Sequence, residues 1–325
     1  MADAVSLAAS NLVSPIVLSF VLGVAAALVR SDLSFPEAIA KGLSLYLLFA
    51  IGFKGGASVA GHGPELRLFA TIAAGLLLSL LLPFLAFFLL RALARLSPID
   101  AAAVAAHYGS ISIVTFVAAN TLLASSGLEP EGYMVAVAAV MEAPAILSAL
   151  WLAARFGGGG EMGPKVWREI LFNGSIVLLM GAFAIGALTG EKGLAEIRGF
   201  VVDPFKGVLC LFLLDMGLVA GRGLLSSRGV LTVRVLSFGF LMPLAGAALA
   251  FVVAQLLGLS VGGVVLLMVL CASASYIAVP AAMRVALPEA NPALSLTLAL
   301  GVTFPFNLTV GIPLYILAAS SFAGP

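Results

Sequence analysis

The chain alternates long apolar runs with short polar or Gly/Pro-rich connections. A run of about 18 or more apolar residues predicts a membrane-crossing helix, since about 20 residues span the hydrocarbon core. The runs fall at 12–29, 36–60, 67–95, 100–125, 132–155, 169–189, 204–224, 229–257, 261–286 and 293–319. The fold class expected is therefore all-α and polytopic, with ten transmembrane helices. Two of these segments are interrupted by small hydroxyl-bearing residues. One carries Gly109-Ser110-Ile111-Ser112 and the other Ala272-Ser273-Ala274-Ser275-Tyr276. Each stretch predicts a broken helix.

The two interruptions lie about 163 residues apart, and other pairs follow at nearly the same offset. SPIVLSFVLG near Ser14 answers GSIVLLMGAF near Ser175, and AIGFKGGASVAG answers LDMGLVAGRG. Pro83 answers Pro243, Ser110 answers Ser273, and Met141-Glu142-Ala143-Pro144 answers Thr303-Phe304-Pro305-Phe306. Apolar sequence matches itself easily, so coincidence of composition is the plain alternative. Five pairs in order favour a repeat. Five spans per half would invert the second half relative to the first, as in many transporters. Gly157 to Gly160 supply a flexible connection. The expected units are 1–156, a Gly-rich linker 157–168, and 169–325.

Composition removes other classes. Hydrophobic residues make up 62% and charged residues 10%, against about a quarter charged in soluble domains. Mean hydropathy is +1.20. A net charge of +1 offers no footprint for nucleic acid. The 35 glycines suit close helix crossings in lipid. Asp3 stands where a cleavable signal would carry positive charge, so no such signal is expected. Cys210 and Cys271 both lie in apolar spans and read as packing residues.

Lys and Arg fix the expected orientation. One face holds Arg30, Arg91, Arg95, Arg155, Lys165, Arg168, Arg222, Arg228, Arg234 and Arg284, the other only Arg67, Lys192, Arg198 and Lys206. The richer face reads as cytoplasmic, with both termini outside a bacterial inner membrane.

The interruptions carry the candidate chemistry. Ser112 and Ser275 are suited to cap restarting helices, and Pro280 weakens continuous helix beyond the second break. Each helix start carries roughly half a positive charge. Two starts brought together by inverted symmetry suit one small monovalent anion. The plain alternative is tight helix crossing at small residues.

Glu142 lies within an apolar span, where a carboxylate costs about 2.5–3.5 kcal/mol on insertion scales, and is a functional candidate. Thr303 and Asn307 flank Pro305 in the matching region. These oxygens suit an alkali cation, which makes sodium coupled to an anion coherent. Proton coupling through Glu142 is the competing reading. Lys54 and Asp215 occupy nearly equivalent positions and either pair or line the ion path. His107 either lines the cavity or simply ends a helix, and His62 reads as solvated. A hydrolytic enzyme using Ser110 or Ser273 with His107 lacks a third group. Neither an enzyme nor an organic cofactor is expected.

At these residues the chain resembles the SbtA-type sodium-dependent bicarbonate transporters. The resemblance rests on AIGFKGG (50–56), HYGSIS (107–112), MEAPAIL (141–147), LDMGLVAG (214–221), SASYIAVPAAMR (273–284) and TFPFNLTVGIPLY (303–315), and covers essentially the whole chain. It implies core and gate domains, a homotrimer, and inward symport of bicarbonate with sodium. It places the anion on Gly109, Ser110, Ile111, Ser112, Ser273, Ala274, Ser275 and Tyr276. Sodium is assigned to Glu142, Thr303 and Asn307. The first break departs from the serine-richer motif of cyanobacterial members. The central connection is also shorter than theirs, which bears on whether a PII-like regulatory protein binds. A cation/proton antiporter, or a sodium symporter for another small anion, is the alternative.

Overall fold

A computed structural model describes residues 13–60, 66–158, 174–226 and 232–322. Among these the chain is helical without strands, and eight helical segments are long and apolar enough to cross a membrane. His62, Lys165, Arg168, Arg228 and most of the Gly-rich linker fall outside the described residues.

The first half holds α1 (Pro15–Leu28), α2 (Glu37–Ala60) and α3 (Leu66–Leu89), which ends in a π-turn over Leu90–Ala94. The segment predicted at 100–125 is two helices, α4 (Pro98–Gly109) and α5 (Ile113–Ser125). The segment at 132–155 is also divided, into α6 (Met134–Met141) and α7 (Pro144–Gly157). The second half holds α8 (Gly174–Glu196), the short α9 (Arg198–Val201), α10 (Phe205–Ser226) and α11 (Val233–Leu257). It continues with α12 (Val261–Ala272) and α13 (Ala278–Ala286), separated by the second break. The last segment runs through α14 (Pro292–Leu298), α15 (Phe304–Phe306) and α16 (Ile312–Phe322). Two π-turns, Ala299–Thr303 and Asn307–Gly311, join them on either side of Pro305.

Two of the ten predicted segments are not among the eight long ones. α1 is only 14 residues, and 261–286 divides into helices of 12 and 9 residues. The division follows from the break itself. In α8, Gly190 has φ 59° and interrupts the helix next to the predicted boundary at 189. Glycine has no Cβ to resist that conformation.

Glycines set the closest helix crossings. α1 packs on α10, with Gly23 against the backbone of Leu214, Gly217 and Leu218. α2 packs on α8, where Gly52 and Gly56 meet Leu179, Ala182 and Phe183, and Gly186 meets Phe53 and Ala57. In lipid the hydrophobic effect does not drive helices together, so this backbone proximity and its dispersion energy hold the pairs. The second group forms around α3, α4, α7, α11, α12 and α16. α4 is buried along its last nine residues, Ala101 to Gly109, and α12 along Gly262 to Ala272.

The two buried helices match in detail. Each has 12 residues and a serine cap, Ser97 on Asp100 N at 3.0 Å and Ser260 on Gly263 N at 3.0 Å. Each ends on an extended serine, Ser110 (φ −81°, ψ 173°) and Ser273 (φ −88°, ψ 166°). Both pairs are separated by the same offset as the sequence motifs.

Candidate ion-binding site

The two breaks meet. Ser112 N donates to Ser273 Oγ at 2.9 Å. Ser275 N donates to the His107 carbonyl at 2.7 Å, and the Ser275 carbonyl lies 2.6 Å from His107 Nδ1. Ser273 Oγ also donates to Leu270 O at 3.0 Å. Backbone groups released by each interruption thus find partners on the opposite break, as buried backbone requires.

Ser112 caps α5, its hydroxyl oxygen accepting from Thr115 N at 3.2 Å and from Thr115 Oγ1 at 2.9 Å. Its own proton remains to donate elsewhere. Ser275 is not a helix cap. The second break is longer, α13 restarts after Ile277, and Ile277 makes no side-chain capping bond. Pro280 falls in the first turn of α13, where a missing N–H costs no helical bond.

Ile113 and Ile277, at the two restarts, line one hollow together with Ile111, Ser112, Ser275, Tyr276 and Glu142. Its volume is about 10 Å³, near the lower limit for one water. The starts of α5 and α13 therefore face a shared space. The Tyr276 hydroxyl is buried and turned toward Ser112, without completing a hydrogen bond. Gly109, Ser110, Ser273 and Ala274 belong to the breaks but are not among the residues that line the hollow.

Glu142 reaches this hollow because Pro144 starts a new helix just after it. The interruption releases two carbonyls, and both are satisfied by serines. Met141 O accepts from Ser79 Oγ at 2.6 Å and Glu142 O from Ser110 Oγ at 2.9 Å. Glu142 is only 5% exposed and is one of the residues that line the hollow.

Thr303 and Asn307 sit elsewhere. Thr303 Oγ1 donates to Gly239 O at 2.8 Å and lies 2.6 Å from the Tyr108 hydroxyl. Asn307 Nδ2 donates to Ala272 O at 2.8 Å, and its Oδ1 accepts from Tyr315 at 2.9 Å. Both brace the backs of the broken spans and neither lines the hollow that Glu142 faces. Lys54 and Asp215 do not pair. The Lys54 ammonium lies 3.7 Å from the centroid of the Phe205 ring, and among the described residues no ion pair joins it to Asp215. Equivalent sequence positions put the two charges on helices whose crossings are set by glycines elsewhere. Cys210 and Cys271 are both free thiols.

From sequence His107 reads either as a cavity-lining residue or as a helix-end residue. Its role as a strut depends on Ser275, 168 residues away in the chain. The sequence reading misses the Ser97 and Ser260 caps, although each precedes a 12-residue helix at the repeat offset.

Gly109 makes a direct test of the packing behind the first break. A Cβ there would come within 2.5 Å of Pro83 Cδ and 2.9 Å of the Ala145 Cβ. Neither neighbour can swing aside. Gly109→Ala should lower stability by about 1–3 kcal/mol, seen as an earlier thermal unfolding transition in detergent. An unchanged transition would refute the packing.

An all-helical membrane protein whose interrupted helices meet at a small hollow lined by a buried glutamate belongs among the carriers of small ions. The sequence pattern of the Na+-dependent bicarbonate transporter superfamily matches residues 15–320, and the chain belongs to that family. It is a membrane transporter and not an enzyme. Among curated proteins, no match to the chain was found.

Proposed function

We propose that this protein imports bicarbonate with sodium across the bacterial inner membrane by alternating access. The observation that carries the reading is the meeting of two helix starts and Glu142 at one hollow. The starts of α5 and α13 supply partial positive charge and undonated amides for an anion. Ser112, Ser275 and Tyr276 add hydroxyl donors, with Gly109, Ser110, Ile111, Ser273 and Ala274 shaping the backbone around them.

Sodium binds at Glu142 in this reading, with the released backbone and serine oxygens beside it. Thr303 and Asn307 act through the packing of the final span. Sodium binding there neutralises the carboxylate that would otherwise repel an anion in the same hollow. Each ion then raises affinity for the other by the same factor. A proton on Glu142 would also neutralise the carboxylate, so proton coupling is the reading to exclude.

A ten-span, 5+5 inverted arrangement accounts for the matched serine caps and extended serines of α4 and α12. It also accounts for the helix pairing, since α1 crosses α10 and α8 crosses α2 through glycines at near-equivalent positions. Pro83 meets Gly109 in one half, and Gly246 meets the Cys271 backbone in the other. The group α1, α2, α8 and α10 forms a gate, and the group bearing both breaks forms the moving core. A hollow of about 10 Å³ is too small for bicarbonate, which fits a transport cycle that must open it. A homotrimer with both termini outside completes the proposal. Binding of a PII-like regulator is not part of it, because the linker it would meet is short.

Purified protein in liposomes tests the coupling. Labelled bicarbonate should accumulate only under an inward sodium gradient. Full accumulation under a pH gradient without sodium would overturn sodium coupling.

A further inference from the structure

A second cavity of about 220 Å³ lies along α5, beyond the hollow between the breaks. Its lining includes exposed Ser58 and Glu129, Lys54, Asn120 and Glu131 at intermediate exposure, and buried Phe116. α5 connects the two spaces. Ile113 lines the hollow, while Phe116 and Asn120 line the larger cavity. At 1.5 Å per residue, Asn120 is about 10 Å from Ile113 along the axis.

Lys54 lies within α2, an apolar span, and no ion pair holds it among the described residues. The Phe205 ring covers one side of its ammonium at 3.7 Å, a contact that suits a cation but does not neutralise it. A charge placed so deep is costly unless something compensates it. Two carboxylates, Glu129 and Glu131, also line the cavity, and among the described residues neither forms an ion pair with Lys54. Glu131 is committed to the start of α12, its Oε1 accepting from Ser260 N at 2.7 Å and its Oε2 from Ser260 Oγ at 2.9 Å. Glu129 is exposed at the rim. The lining thus sets the Lys54 ammonium and the Asn120 amide beside the Glu131 carboxylate, which is held at the α12 start, and the ammonium and amide are the donors for a small oxyanion.

We propose that this cavity is a loading site, in which Lys54 and Asn120 hold a small monovalent oxyanion before it passes Phe116 to the hollow between the breaks. The inference rests on the transport reading and places this cavity on the external face. Phe116 separates loading site from hollow in the conformation described.

The experiment reads accessibility and charge separately from transport. Asn120→Cys is made with Cys210→Ser, leaving buried Cys271, and intact cells are treated with impermeant thiol reagents bearing a sulfonate or a trimethylammonium group. The sulfonate reagent should react about tenfold faster than the cationic one. Lys54→Met should bring that ratio near unity, and Lys54→Arg should keep it. Bicarbonate or formate should slow the reaction only when Lys54 or arginine is present. No labelling from outside, or the same ratio with Lys54→Met, would overturn the loading site. In uptake assays, Lys54→Met should raise half-saturating bicarbonate about fivefold or more while the maximal rate stays within about twofold. The difference should shrink at high salt as screening shortens the reach of the charge. A loss of maximal rate with unchanged half-saturation would assign Lys54 to gating instead and overturn the proposal. If the native protein moves no bicarbonate, the transport reading fails, yet the reagent ratio still decides whether the cavity attracts anions.

Discussion

Glu142→Gln is expected to raise the sodium concentration for half-maximal uptake by about tenfold or more. Glutamine keeps the size and one oxygen of the side chain but loses the charge. A tenfold change corresponds to about 1.4 kcal/mol, a modest demand for a carboxylate in a site from which water is excluded. The packing should survive, because Ser110 and Ser79 bond the backbone carbonyls of Glu142 and Met141 and not the carboxyl. The measurement is bicarbonate uptake against external sodium, with bicarbonate saturating. An unchanged sodium dependence would remove Glu142 from the coupling site. If sodium dependence vanishes while uptake persists, Glu142 is the element that makes the anion wait for the cation.

Ser275→Leu is expected to abolish uptake. Residue 275 lines a hollow of about 10 Å³, and leucine puts three carbon atoms in place of the hydroxyl oxygen. The backbone bonds between Ser275 and His107 use main-chain atoms of residue 275, so the link between the breaks does not require the hydroxyl. Ser275→Ala separates blockage from loss of a donor. It should keep transport but weaken bicarbonate about five- to tenfold, about the net worth of one hydrogen bond. Binding is read by protection against thermal unfolding with sodium present. Normal bicarbonate protection of the leucine variant would place the anion elsewhere.

Much of this architecture is written in local sequence. A charge-poor chain of long apolar runs must satisfy its backbone internally, and helices do that segment by segment. Gly-Ser-Ile-Ser and Ala-Ser-Ala-Ser interrupt apolar runs, and the helices stop there. Pro144 marks the interruption that exposes Glu142, and Pro305 the stretch framed by two π-turns. Ser112 caps α5 because a serine followed by free amides does so wherever the chain lies.

Ser275 shows where that logic stops. It has the same chemistry as Ser112, but its backbone is drawn onto His107, and the restart moves to Ile277. Thr303 and Asn307 have the right atoms for a cation, yet Gly239, Tyr108, Ala272 and Tyr315 take them up. Lys54 and Asp215 match in the repeat but meet different neighbours, since helix rotation and crossing decide which side chains touch. The sequence alone therefore determined the membrane class, the broken helices and the carboxylate within them, because each depends on residues a turn apart. Only the tertiary structure decided which oxygens share the hollow and which charge faces the second cavity. Those choices rest on contacts between separate helices, from 32 residues apart for Ser110 and Glu142 to 168 for His107 and Ser275, which no local pattern encodes.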